Sequence, residues 1–264
     1  MQTFTYYPGC TLRTKAKDLD AYARASAEAL GIALIEPENW QCCGGAYSTA
    51  TNEAGSKLSA VRTLMAAKDS EGLVTVCSAC HNVIKQTNYD ISRNEAMANK
   101  VRKYLGLEEA YRGETKVLHY LELLRDVVGF DNLAAKVTNP FKGKKIAAYY
   151  GCLLLRPSKA LAMDDPENPR IMEDFIRAIG GTPVIYAQRN ECCGGYIAME
   201  DKAQAAKRSG AVMSSAKDMG ADMIITACPL CLYNLRKNSG SDMPVYYFTE
   251  LLAEALGLKE ESNE

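Results

Sequence analysis

The chain has 264 residues, a formal net charge of −1 and 47% hydrophobic residues. That length can bury a substantial core in one large domain or two small ones, and the near-neutral charge gives no reason to expect nucleic-acid binding. The start "MQTFTYYPGC" has neither a basic segment nor a long apolar run, and stretches such as "IAAYYGCLLL" fall far short of a membrane span, so a soluble, cytoplasmic protein without direct membrane insertion is expected.

In chain order, "FTYY" at 4–7 reads as a strand and runs into Cys10. A helical stretch over 15–30 follows, then a strand, "IALIE", at 32–36 and the adjacent pair Cys42 and Cys43 in "NWQCCGG". Next come a helical stretch over 53–69, a strand, "LVTV", at 73–76, and Cys77 and Cys80. "VLHYLELL" at 117–124 has an apolar helical pattern, and "NPFKGKKI", with Lys144 and Lys145, marks a linker. The order then repeats: a strand "KIAAYY" and Cys152, a strand "PVIYA" and "RNECCGG" with Cys192 and Cys193, a helix over 200–219, and a strand "MIITA" before Cys228 and Cys231. Short runs rich in β-branched and aromatic residues favour strands. Their alternation with helices predicts an α/β fold: two duplicated Rossmann-like halves, 1–140 and 141–264, with largely parallel strands.

Self-similarity extends to "FTYYPGC" against "AAYYGC", "VTVCSAC" against "IITACPLC", and "VLHYLELL" against "VYYFTELL". The ten cysteines divide evenly: Cys10, Cys42, Cys43, Cys77 and Cys80 in one half, Cys152, Cys192, Cys193, Cys228 and Cys231 in the other. Each group falls after a strand and before a helix, at the carboxyl edge where open α/β sheets bind ligands. The helix N-termini there favour thiolate over thiol, and Gly44, Gly45, Gly194 and Gly195 suit close backbone approach. Without an export signal, metal or redox chemistry outranks disulfides. Zinc and a cubane cluster each take four ligands, so five thiols per half leave one bystander or indicate a larger, less regular centre. Zinc in one half remains open.

These residues resemble the duplicated cysteine-rich CCG domain of the catalytic B-type chain of heterodisulfide reductase, over nearly the whole chain and including "YYGCLLLRPSKALAMDDPENP" at 149–169. The resemblance implies two noncubane 4Fe-4S clusters, one on each set of five cysteines, with a small-molecule disulfide cleaved between them. It also implies two partner chains: a small ferredoxin-like one of the C type, with two cubane clusters, and behind it a flavin-carrying one of the A type. In methanogen relatives the substrate is the mixed disulfide of coenzymes M and B; "GCTLRTKAKDL" around Cys10 looks closer to bacterial relatives. The chain has no G-x-G-x-x-G after a strand and no ferredoxin-type cysteine run, so electrons are expected from another polypeptide.

Arg13 and Arg156, shortly after the first cysteine of each half, are candidates to meet an anionic group or to stand solvent-facing at a helix start. His81, next to Cys80, is a candidate proton donor to a leaving thiolate, although the second half has Leu232 there. His119 reads as a core histidine on a helix, and Trp40 and Tyr47 as packing around the first cysteine pair. The competing readings are an electron-transfer adapter with the same clusters and no disulfide substrate, and a zinc-stabilised interaction protein.

Overall fold

A computed structural model describes residues 1–45 and 54–259. The first half forms a four-stranded parallel sheet from β1 (Gln2–Tyr7), β2 (Ile32–Ile35), β3 (Leu73–Thr75) and β4 (Val117–His119), in the order β2-β1-β3-β4. The second repeats it with β5 (Lys145–Tyr149), β6 (Thr182–Val184), β7 (Met223–Thr226) and β8 (Val245–Tyr247), in the order β6-β5-β7-β8. Parallel strands covered on both faces by crossover helices read as continuous apolar runs. Accordingly, every residue of β3 is buried, as is every residue of β5 after Lys145.

The registers are matched: Tyr7 pairs with Thr75 in the first sheet, and Tyr149 with Thr226 in the second. The strand order reverses direction beside β1 and β5, which opens a crevice at the carboxyl edge of each sheet. Helices Gly9–Thr14 and Ser78–Ile91 begin at that edge in the first half, and Pro229–Asn238 in the second.

All six expected strands are present, and the expected helices appear as Lys17–Ala29, Ala54–Ala66 and Lys202–Asp218. Two expectations are corrected. "VLHYLELL" is not one helix: Val117–His119 is strand β4, and His119 caps the helix Tyr120–Leu123, its Nδ1 accepting from the Leu121 amide at 3.2 Å while Glu122 accepts from the His119 amide at 2.7 Å. Lys145 is not linker but the first residue of β5, its amide held by the Asp222 carboxylate at 2.7 Å.

The two halves share one continuous core. Helix Phe130–Lys136, from before β5, packs on helix Ile171–Ala178, and the amides of Thr138 and Asn139 donate to the Ala255 carbonyl at 2.9 Å. Thr249 Oγ1 reaches back to the Leu19 carbonyl at 3.2 Å. These contacts turn the carboxyl edges of the two sheets toward each other.

Candidate functional site

The residue before Cys77 is Val76 and the residue before Cys228 is Ala227, and the halves meet at this pair. Ser78 donates its amide and hydroxyl to the Ala227 carbonyl, at 3.0 and 2.7 Å. Tyr247 Oη lies 2.8 Å from the Val76 carbonyl and 2.9 Å from that of Ala227. Cys77 and Cys228, the N-caps of their helices, are thereby held in thiol contact across the halves.

From that junction a line of sulfurs runs outward both ways. Cys77 contacts Cys80, which lies 3.6 Å from Cys43; Cys228 contacts Cys231, which lies 3.5 Å from Cys193. The remaining thiols form two outer pairs, Cys10 with Cys42 at 3.6 Å and Cys152 with Cys192. All ten cysteines are free, and each has a sulfur neighbour.

Each strand end contributes in the same way in both halves. Tyr7 and Tyr149, the last residues of β1 and β5, donate their hydroxyls to the carbonyls of Gln41 (2.8 Å) and Glu191 (2.7 Å), tying down the loop that carries each adjacent cysteine pair. Gly9 and Gly151 take left-handed conformations, φ 79° and 63°. A Cβ on Gly9 would stand 2.7 Å from Cys80 Sγ, and one on Gly151 3.4 Å from Cys231 Sγ. Only glycine brings the backbone this close in such a conformation. The amides of Gly44 and Gly194 point at Cys42 and Cys192 Sγ, at 3.5 and 3.4 Å. Tyr196, immediately after the second Cys-Cys-Gly-Gly turn, donates to the Gly45 carbonyl of the first. The Gly9, Gly151, Tyr7 and Tyr149 roles were missed from sequence, although the repeat of tyrosine and glycine before each first cysteine marked them.

The contacts polarise the thiols. Cys43 is lowered to about 6, first by its contact with the Cys80 thiol, and Cys192 is lowered to about 6 by the Cys152 thiol and the Gly194 amide. Cys228 is held well down by the thiols of Cys231 and Cys77 and by the amides of Cys231 and Leu230 at the helix start. Their neighbours Cys80 and Cys231 are pushed up correspondingly. Cys77 is pushed up too, first by its contact with Cys228, so a lowered thiol lies beside a raised one at Cys43–Cys80, at Cys77–Cys228 and at Cys193–Cys231, which suits a site that gathers metal-binding thiolates.

Both histidines are engaged by neighbouring protein groups. His81 is buried, with Nδ1 3.1 Å from Thr75 Oγ1 and Nε2 3.5 Å from Glu122, and burial holds its pKa well below the usual value. His119 Nε2 donates to the Val76 carbonyl at 2.9 Å; the Leu121 amide on Nδ1 selects that tautomer. Arg13 pairs with Glu36 at 3.3 Å and is 52% exposed. Arg156 binds Glu167 at 2.8 Å and the carbonyls of Asn190 and Pro166, bracing the segment before the second cysteine pair. Trp40 packs edge-on against Tyr7 and donates to Glu36 at 2.7 Å, while Tyr47 lies outside the described residues.

The converging set is thus sulfur only, the donor chemistry of zinc and of iron–sulfur groups rather than of hard cations. Among the described residues, no three Cys, His, Asp or Glu side chains surround a common point for a single ion. Sulfurs strung in a line across two halves fit a group with several metal atoms better than a lone tetrahedral ion. No helix among the described residues is long and apolar enough to cross a membrane.

A duplicated parallel α/β chain with five thiols at each carboxyl edge defines a cysteine-rich CCG protein. Residues 4–85 and 146–236 match that cysteine-rich domain family, and the chain belongs to it. Over 97% of its length it is 28% identical to the 8-methylmenaquinol:fumarate reductase membrane anchor subunit of Wolinella succinogenes, covering 92% of that protein. It is 23% identical, over 97% of its length and 90% of the relative, to the B-type chain of the ferredoxin/F420H2-dependent CoB–CoM heterodisulfide reductase of Methanosarcina acetivorans. An Archaeoglobus profundus protein described as similar to the B-type chain of heterodisulfide reductase is 24% identical over 99% of this chain and 93% of its own. Among solved structures, a hypothetical protein from Helicobacter pylori superimposes with a TM-score of 0.75 at 15% identity, covering 98% of this chain. The chain spans 50% of that structure, and the likeness is one of fold.

Proposed function

We propose that this chain is the iron–sulfur subunit of a heterodisulfide reductase-like complex, reducing a small disulfide with electrons from partner chains. The observation that carries the reading is the meeting of two equivalent five-thiol sets at Cys77 and Cys228. Cys10, Cys42, Cys43, Cys77 and Cys80 would hold one noncubane 4Fe-4S cluster, and Cys152, Cys192, Cys193, Cys228 and Cys231 the other. Bound iron–sulfur clusters accept and release electrons singly, and reduction of a disulfide to two thiols takes two electrons and two protons. The duplicated arrangement gives each substrate sulfur a thiol-lined side of its own. The partners in this reading are a ferredoxin-like chain with two clusters and a flavin-carrying chain, as the relatives' place in multi-chain reductases supports.

The Wolinella relative favours a second reading, in which the same centres relay electrons to another redox module without a disulfide substrate. The test is disulfide cleavage by the anaerobically purified chain with a low-potential artificial donor, in the native form and in single-set variants Cys43→Ser and Cys193→Ser. The disulfide reading expects activity in the native chain and loss in both variants, with the untouched set spectroscopically intact. Substantial cleavage by either variant points to one catalytic centre and one relay. No cleavage by the native chain points to the adapter.

A further inference from the structure

Each half has a groove between the helix that precedes its edge strand and the segment that follows that strand, and the two grooves are furnished differently. In the first half the groove lies between helix Lys17–Ala29 and the segment after β2. Arg24 spans it, donating to Asp20 at 2.9 Å and to Glu36 at 2.6 Å. Glu36 also accepts from Trp40 at 2.7 Å and pairs with Arg13 at 3.3 Å. In the second half, Glu173 stands where Arg24 does, six residues before the helix C-cap, which is Leu30 in one half and Ile179 in the other. Tyr186 and Asn190 stand where Glu36 and Trp40 do, six and two residues before the adjacent cysteine pair.

These exchanges leave the second groove open. Glu173 accepts from Tyr150 Oη and, at 2.8 Å, from Arg189, which is 6% exposed. Asn190 turns away to the Pro166 carbonyl at 2.8 Å. Tyr186 Oη, buried beside Glu173 and Arg189, has no hydrogen-bond partner among the described residues. A cavity of about 350 Å³ remains, within the size range of small-molecule sites. It is lined by the buried Arg189 and by the exposed Arg170 and Arg177, with Ile185 as an apolar ledge. The Arg170 guanidinium has no ion pair or hydrogen bond among the described residues, and Arg177 is tied only to Asp174, at 2.6 Å on the surface. Both carboxylates of the lining are thus already engaged by arginines, and one guanidinium is left over.

We propose that this cavity binds the phosphate group of a small phosphorylated ligand. Guanidinium groups match phosphate in geometry and in charge. A phosphate group presents three strong acceptor oxygens, against two on a carboxylate. Three arginines and the Asn168 amide, whose oxygen is already taken by Arg189 at 2.6 Å, supply more N–H groups than a carboxylate could use. No cysteine lines the cavity, so the site is distinct from the thiol sets and independent of the disulfide reading above. Arg189 nevertheless joins the two regions: its carbonyl accepts the amides of Tyr150 and Gly151, at 2.8 and 3.3 Å, immediately before Cys152.

The experiment is calorimetric titration of the anaerobically purified chain, in phosphate-free buffer, with inorganic diphosphate and with succinate. Diphosphate is expected to bind about tenfold more tightly than succinate, as one further charge-assisted hydrogen bond would give. Arg170→Gln/Arg177→Gln should weaken diphosphate by about tenfold. The same double variant should unfold in urea at the native midpoint when no ligand is present, because exposed ion pairs contribute little to stability. Added diphosphate should raise that midpoint more in the native chain than in the double variant. Failure of the native chain to bind diphosphate, succinate binding as tightly as diphosphate, or full diphosphate affinity in the double variant overturns the proposal.

Discussion

Tyr247 Oη, at the end of β8, lies 2.8 Å from the carbonyl of Val76, at the end of β3, so the last strand of the second half is fixed to the residue that precedes Cys77 in the first. Its counterpart in the first half is His119, which binds the same carbonyl at 2.9 Å. The duplicated position is thus used twice on one acceptor, and Cys77 and Cys228 are held at the junction. Tyr247→Phe removes the shared hydroxyl while Val76 retains His119 and Ala227 retains Ser78. The expected cost is about 1–2 kcal/mol in urea unfolding of the chain. An unchanged midpoint would mean that packing alone sets the junction.

His119 gives stability a pH dependence. Burial lowers its pKa to about 3, and burial also holds His81 well down. The unfolded chain binds these protons at ordinary histidine values while the folded chain does not. The contribution is therefore fully present above about pH 6.5 and is lost as pH falls toward 3. Denaturant unfolding from pH 7 to pH 4 should show falling stability, and His119→Gln should flatten part of that slope. A slope unchanged in His119→Gln would remove the histidine from the account.

The two glycines before the first cysteines should respond unequally to alanine. Both would strain a left-handed backbone, by about 1–2 kcal/mol. Gly9→Ala also drives a methyl group to 2.7 Å from Cys80 Sγ, whereas Gly151→Ala leaves 3.4 Å to Cys231 Sγ. Iron per chain after reconstitution is expected to fall more in Gly9→Ala, with the loss confined to the first set. Equal losses would show strain, not contact, to be the cause.

The proposed two-cluster reading sets an iron content. Anaerobically purified chain should contain about eight irons and eight acid-labile sulfides, and Cys43→Ser about half of each. Zinc without labile sulfide would overturn the iron–sulfur assignment.

Without iron, the polarised thiols should be selectively reactive. Cys192, partly exposed and lowered to about 6, is expected to react with iodoacetamide in the metal-free chain at pH 7 ahead of Cys152, which its own donated hydrogen bond pushes up. Mass-spectrometric mapping across pH 5–8 should give a Cys192 midpoint near 6; a midpoint near an ordinary thiol value would show that the Cys152 contact does not persist.

The repeat of cysteine groups, their even division and their position at strand ends were legible in the sequence alone, because strand-forming runs such as "KIAAYY" and "MIITA" lead directly into them. So was the parallel α/β class, since buried parallel strands are written as short continuous apolar runs separated by helices. Strands β4 and β8 were not legible: three residues long and followed at once by a helix, they merge with it into one apolar run. Nor was the role of His119, whose position as a helix cap depends on that boundary. Which sulfurs meet, and that Cys77 and Cys228 join the two sets, were decided only by how the halves pack. A duplicated sequence states what each half carries; the contacts across halves are long-range, made by residues as distant in the chain as Val76 and Tyr247, and no local pattern encodes them.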